Sequence, residues 1–163
     1  RNYTREMYID RIEKIKSLIP DCGLSTDIIA GYCGETEEEH QATLTLMKMV
    51  GYDFAFMFKY SERPDTLAAN KYADDVPEKV KGERLQEIIN LQQESSHQSN
   101  LKDVGKTFRV LVDNVSKRSK LQMSGRTDQN KVIVFDRKDT QLGDYVNVEC
   151  TSCTTATLMG HLV

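Results

Sequence analysis

The sequence predicts two parts of different class: an incomplete parallel α/β unit, followed by a small antiparallel β-barrel or sandwich. Two observations carry this reading. Up to about residue 103 apolar residues recur at helical spacing between two short apolar strands, in the order helix, strand, helix, strand. From Val104 onward the period falls to two, with short strands separated by polar or glycine-containing turns. The expected boundary lies between 1–103 and 104–163.

In the first part, Thr4 is placed to cap a helix whose apolar face is Tyr8, Ile12, Ile15 and Ile19, stopped by Pro20. "LSTDIIAGY" reads as a buried strand. "TEEE" from Thr36 to Glu39 has the pattern of a capping box and opens a helix to about Val50, with Leu44, Met47 and Val50 inward. "YDFAFMFKY" is a second strand, and two strands joined through a helix pair in parallel. Two parallel strands cannot close a core, so the segment is expected to be a piece of a larger α/β sheet or barrel, and the chain a C-terminal fragment. Pro77 suits the first turn of a third helix, striped by Val80, Leu85, Ile88, Ile89 and Leu91. The polar run Ser95 to Asn100 reads as a linker. In the second part the expected strands are "TFRVLVDNV", "KVIVF", "YVNVEC" and "ATLMGHLV".

Composition bounds the function. The chain has 163 residues, is 39% hydrophobic and 29% charged, and has no apolar run near the roughly 20 residues of a membrane span. The net charge of −3 is unevenly divided. From Val104 onward nine basic residues face six acids, a surplus of three, so residues 1–103 carry a deficit of six. The stretch from Ser116 to Phe135 concentrates this: Lys117, Arg118, Lys120, Arg126 and Lys131, with Gln129 and Asn130 among them. Cations bind phosphate and amides read base edges, so these seven residues are the candidate RNA contacts; the plain alternative is a solvated loop.

Four cysteines (Cys22, Cys33, Cys150, Cys153) do not form a secreted disulfide framework, and a reducing cytoplasmic setting is expected. "CTSC" lacks the second pair of a zinc site, and strand alternation would point its two thiols to opposite faces. Asp27 is a carboxylate in an apolar strand and needs a partner if buried. Gly31 and Gly34 lie at the C-terminal end of that strand, the edge where α/β sheets bind ligands.

Together "STDIIAGYCGETEEEH", "FMFKYSERPDTLAA", "LQEIINLQ" and "GRTDQNKVIVF" resemble the tRNA methylthiotransferases of the MiaB type. These are radical S-adenosylmethionine enzymes with a TIM-like barrel, ending in an RNA-binding TRAM barrel. The resemblance implies 2-methylthio modification of N6-isopentenyladenosine beside the tRNA anticodon. It implies S-adenosylmethionine and two 4Fe-4S clusters as cofactors, a reductant, the anticodon stem-loop as partner, no membrane, and a monomer. By matching "DIIAG" it carries over Ile29 and Gly31 as contacts of the cofactor's adenine; by matching "FMFKY" it carries over Phe58, Lys59 and Tyr60. Cys33 stands where relatives often have Pro, and Asp65 where they usually have Gly. Two other readings compete: a stand-alone RNA-binding module, and a relative that modifies a ribosomal protein.

The three-cysteine motif that would hold a radical cluster is absent from this sequence. Reconstituted anaerobically, the chain is therefore expected to take up no stoichiometric 4Fe-4S cluster, since such clusters need three or four spaced thiolates. Iron analysis giving about four irons per chain would contradict this.

Overall fold

The computed structural model describes residues 3–163 and comprises two compact units. The first holds the chain up to Ile15 together with Leu24–Ser95; the second holds Lys16–Gly23 and Ser96–Val163.

The first unit alternates as the apolar spacing requires. Helix α1 (Arg5–Leu18) is opened by Thr4, whose Oγ1 accepts the Met7 N–H. Strand β1 (Ser25–Ala30) leads into α2 (Glu37–Val50), and β2 (Phe54–Lys59) follows. The capping box at α2 forms in both directions: Thr36 Oγ1 accepts the Glu39 N–H at 3.2 Å, and the Glu39 carboxylate accepts the Thr36 N–H at 2.9 Å. Gly51 ends α2 in the left-handed region, at φ 62°, and donates to the Met47 carbonyl. A short helix α3 (Leu67–Lys71), not expected from the sequence, precedes α4 (Glu78–Leu101).

β1 and β2 pair in parallel, in register from Ser25↔Phe54 to Ala30↔Lys59. One face carries Ile28, Ala30 and Ala55, which pack with Ile12, Met47, Val50, Tyr52 and Ile88 in a single core. The other face carries Ser25, Asp27 and Ile29 beside Phe54, Phe56 and Phe58. It is open: Ile29 and the three phenylalanines are each about half exposed. Asp27, expected to need a partner if buried, lies on this open face and is exposed.

The second unit is a closed five-stranded barrel in the order β3-β4-β5-β7-β6. Its strands are β3 (Thr107–Val115), β4 (Gln122–Thr127), β5 (Val132–Asp136), β6 (Tyr145–Cys153) and β7 (Leu158–Leu162). Alternate residues fill the interior: Val110, Val112, Met123, Ile133, Phe135, Val148, Cys150 and Leu158.

Four sequence expectations are corrected here. The barrel is not wholly antiparallel, because β5 and β7 pair in parallel to close it. "QMSGRT", read as loop, is strand β4. Its polar composition hid it, but the ladder supplies what propensity lacks, with antiparallel partners on both sides. The linker expected over Ser95 to Asn100 is helical, the last turns of α4. There Asn100 Nδ2 donates to the Thr154 carbonyl at 2.9 Å, and Asp103 is buried. Finally, a bulge between Cys150 and Ser152 resets the alternation, so Cys150 and Cys153 both pack toward the barrel core. Burial raises the Cys150 thiol's pKa.

Two barrel glycines are fixed by close approach of backbone. A Cβ at Gly125 would strike the Leu111 carbonyl and Val110; one at Gly160 would strike the Glu149 carbonyl. Gly82, by contrast, lies in α4 with open space at its Cβ. Gly125→Ala is expected to destabilise the barrel by about 1–3 kcal/mol through overpacking. Gly82→Ala is expected to stabilise by about 1 kcal/mol through helix propensity. Thermal unfolding of the two variants should move the midpoint in opposite directions.

Candidate functional site

Two regions were marked by the sequence, one in each unit. The first is the C-terminal end of β1 and β2. Ile29 and Phe58 are register partners on the open face, so two half-exposed apolar side chains stand side by side at the strand ends. The other three marked residues are engaged differently. Gly31, at φ 72°, donates its N–H to Glu35 Oε1 at 2.9 Å. A Cβ there would strike the Lys81 side chain, so its bareness makes room for that lysine. Lys59 Nζ donates to Glu78 Oε2 at 2.6 Å. Tyr60 is buried; its N–H donates to the Ala30 carbonyl at 2.8 Å, and its ring meets Tyr32 edge-on at 5.2 Å.

Two cations of α4 organise this edge, and the sequence reading passed over both. Lys81 is almost wholly buried, at 1% exposure. Its ammonium donates to both Asp74 carboxylate oxygens, at 2.5 and 2.7 Å, and to Glu78 at 3.3 Å, and lies 5.3 Å from the Tyr60 ring centroid. Arg84 Nη1 donates to the Glu35 carbonyl at 2.9 Å and to Glu35 Oε1 at 3.0 Å, and Nη2 reaches Glu37. The loop after β1 is thus held by carboxylates that α4 in turn holds. The signal was present: Lys81 and Arg84 fall seven and four residues before Ile88, on the same helical face as the core.

The candidate cofactor contacts therefore divide. Ile29 and Phe58 offer an apolar edge suited to a flat ring, while Gly31, Lys59 and Tyr60 shape the loop beneath it. No group of three or more His, Cys, Asp or Glu residues among those described is arranged to hold a metal, so these side chains do not fit an iron–sulfur cluster.

The second region is the barrel stretch from Ser116 to Lys131. It was read as one loop, but β4 divides it. Lys117, Arg118 and Lys120 lie in the β3–β4 loop, while Gln129, Asn130 and Lys131 lie in the turn after β4. Six strand residues separate them, about 20 Å. The second group is largely occupied. Lys131 Nζ donates to Asp103 Oδ2 at 2.6 Å and to Ser99 Oγ at 2.8 Å, and is mostly buried. Arg126 donates to Asp113 at 3.3 Å and to the Asn130 carbonyl at 3.0 Å. Asn130, at φ 62°, makes the turn. Gln129 Oε1 is buried without a partner and lines a groove of about 730 Å³ with Phe108 and Arg109. Lys117, Arg118 and Lys120 are exposed and enter no ion pair among the described residues.

The edge chemistry has a pH signature. The contact with the Cys33 thiol, followed by burial, pushes the Tyr60 phenol up to about 12. Desolvation pulls the Lys81 ammonium down, but its hydrogen bonds to Asp74 and Glu78 outweigh this and its pKa is raised. Both groups bind their proton more tightly folded than unfolded, where they titrate near 10. The Tyr60 contribution is complete below about pH 10 and is lost as pH rises toward about 12, and that of Lys81 is lost as pH rises through its own raised pKa. The midpoint of thermal unfolding is expected to fall over that window, and Tyr60→Phe to flatten the fall; an unchanged slope in the variant would contradict this.

Comparison with known proteins adds a domain match and named relatives. Residues 101–163 match the model of the TRAM domain. Over all 163 residues the chain is 58% identical to the tRNA-2-methylthio-N(6)-dimethylallyladenosine synthase of Phocaeicola vulgatus and 57% identical to that of Bacteroides thetaiotaomicron. It is 52% identical to that of Porphyromonas gingivalis. The chain spans about a third of the length of these relatives: 36%, 36% and 35%. The chain thus carries a TRAM match over its last 63 residues and is similar along its whole length to a segment of synthases of that name.

Proposed function

We propose that this chain is the C-terminal portion of a tRNA methylthiotransferase that adds a 2-methylthio group to N6-isopentenyladenosine beside the anticodon. The observation that carries the proposal is the identity of 51–58% over the full chain to relatives named as that synthase. S-adenosylmethionine, two 4Fe-4S clusters and a reductant would supply the radical and methyl-transfer chemistry; the cluster ligands lie outside this chain.

This chain's own residues would bind and orient. In this reading residues 1–103 form part of a TIM-like barrel, whose further strands would cover the open face of β1 and β2. Ile29 and Phe58 would then line the barrel interior and pack against the adenine of the cofactor. Gly31, Lys59 and Tyr60 would set the height of the loop under it through Glu35, Glu78 and Lys81. Residues 104–163, the TRAM barrel, would hold the anticodon stem-loop. Lys117, Arg118 and Lys120 are available for its phosphates. Gln129 and Asn130 are placed at the other end of the barrel, by the groove, and Arg126 and Lys131 are engaged internally. The protein would act as a monomer in the cytoplasm. No helix among the described residues is long and apolar enough to cross a membrane.

The test is replacement. Substituting this chain for the matching segment of the Phocaeicola vulgatus synthase, in cells lacking their own enzyme, is expected to restore 2-methylthio nucleoside in tRNA, read by mass spectrometry of digested tRNA. A folded, expressed chimera that leaves the isopentenyl nucleoside unconverted would overturn the reading. In the same chimera, Phe58→Asp should lower S-adenosylmethionine binding while leaving tRNA binding intact.

A further inference from the structure

Of the nine basic residues from Val104 onward, four are engaged within the barrel unit. Lys106 pairs with Asp103, Arg126 with Asp113, and Lys131 with Asp103; the Arg109 guanidinium lies 4.2 Å from the Tyr145 ring centroid. The other five are Lys117, Arg118, Lys120, Arg137 and Lys138. All are exposed, and none enters an ion pair among the described residues.

These five come from two loops that meet at one end of the barrel. The β3–β4 loop closes through Ser116 N–H to the Gln122 carbonyl at 2.9 Å. The β5–β6 loop leaves β5 at Asp136, the register partner of Gln122. The Arg137 N–H then donates to the Leu121 carbonyl at 2.9 Å, joining the loops directly. Lys138 sits at φ 41°, and Thr140 N–H returns to the Arg137 carbonyl at 3.0 Å, so the second loop turns tightly just after its cations. The acids at this end are Asp136, Asp139 and Asp144, three against five cations, and Asp144 accepts the Gln141 N–H at 2.8 Å. The end therefore keeps a positive surplus on a surface with no internal partner.

We propose that the β3–β4 and β5–β6 loops form one cationic rim that binds the phosphate backbone of RNA, with Arg137 and Lys138 as members and Arg126 and Lys131 outside it. The proposal rests on the reading that the barrel binds RNA and names the surface. Unpaired cations spread over two loops match a ligand with repeated anionic groups, because each phosphate contact releases a counterion. The guanidinium groups of Arg118 and Arg137 add paired donors suited to phosphate oxygens. Arg126 and Lys131 would have to break existing ion pairs to do the same.

The experiment titrates the 163-residue chain with a tRNA anticodon stem-loop transcript at several salt concentrations. The variants are Arg137→Gln/Lys138→Gln and, as control, Arg126→Gln. The double variant is expected to weaken binding and to lower the log–log salt slope by about 1.4–1.8, at roughly 0.7–0.9 per contact, while Arg126→Gln leaves the slope unchanged. In parallel, lysine acetylation of the unmodified sequence is expected to show Lys117, Lys120 and Lys138 protected by the RNA and Lys79 unprotected. RNA binding by the parent chain with an unaltered slope in the folded double variant would overturn the rim while leaving RNA binding by the barrel standing. If the double variant does not fold, absence of protection at Lys138 overturns the rim in the same way. No binding of the transcript by the parent chain would overturn both. Equal binding of polyglutamate would assign the rim to an acidic protein and overturn the proposal.

Discussion

The buried ammonium of Lys81 is the contact on which the α/β unit turns. It is placed where Gly31 leaves room, below the end of β1, and it is neutralised by Asp74 and Glu78. A lysine so deeply buried is tolerated only with its hydrogen-bonding capacity met, and three carboxylate oxygens meet it. Because Glu78 also takes Lys59, the end of β2 is tied to the same cluster. Arg84, three residues further along α4, repeats the device on Glu35, which in turn holds the Gly31 N–H. The edge at which a parallel sheet presents its ligand site is thereby fixed by charge, while its opposite surface of α2 and α4 is fixed by apolar packing. The two kinds of interaction do separate work. Packing sets where the strands lie, and the ion pairs set how the loops leave them.

The barrel solves a different problem. Five short strands leave little interior, and bare backbone at Gly125 and Gly160 lets neighbouring strands close over Val110 and Val148. Closing with a parallel β5–β7 pair removes the last free edge, which would otherwise template association. The loops at the ends then carry the variation in charge. One end spends its cations on internal pairs around Asp103 and Asp113; the other leaves them to solvent.

Much of this was legible in the residues. The capping box at Thr36, the helical stripe of α4 and the alternation of β3 and β6 are local patterns, and local patterns survive in sequence. The parallel pairing of β1 and β2 followed from the intervening helix. What was hidden depended on partners distant in the chain. β4 is polar and holds a glycine, so only its neighbours on both sides make it a strand. Lys131 looks like a surface cation until Asp103, 28 residues earlier, is brought to it. Spacing puts Lys81 and Arg84 on the core face of α4, but no local rule announces Asp74 and Glu35 as their partners. The similarity to tRNA-2-methylthio-N(6)-dimethylallyladenosine synthases was legible from four strings in order, none of which is decisive by itself.

The bulge at Cys150 has a consequence for what the two cysteines can do. By turning both thiols of "CTSC" inward, it converts what reads as a ligand pair into filler for the barrel interior. Held as a neutral thiol by burial, Cys150 contributes volume and nothing ionic. Substitution at these two positions is therefore felt through size and polarity in a packed interior rather than through lost ligand chemistry. The backbone kink must persist, because it keeps β6 in step with β7. The spacing of a ligand pair is here a matter of packing geometry and not of coordination chemistry.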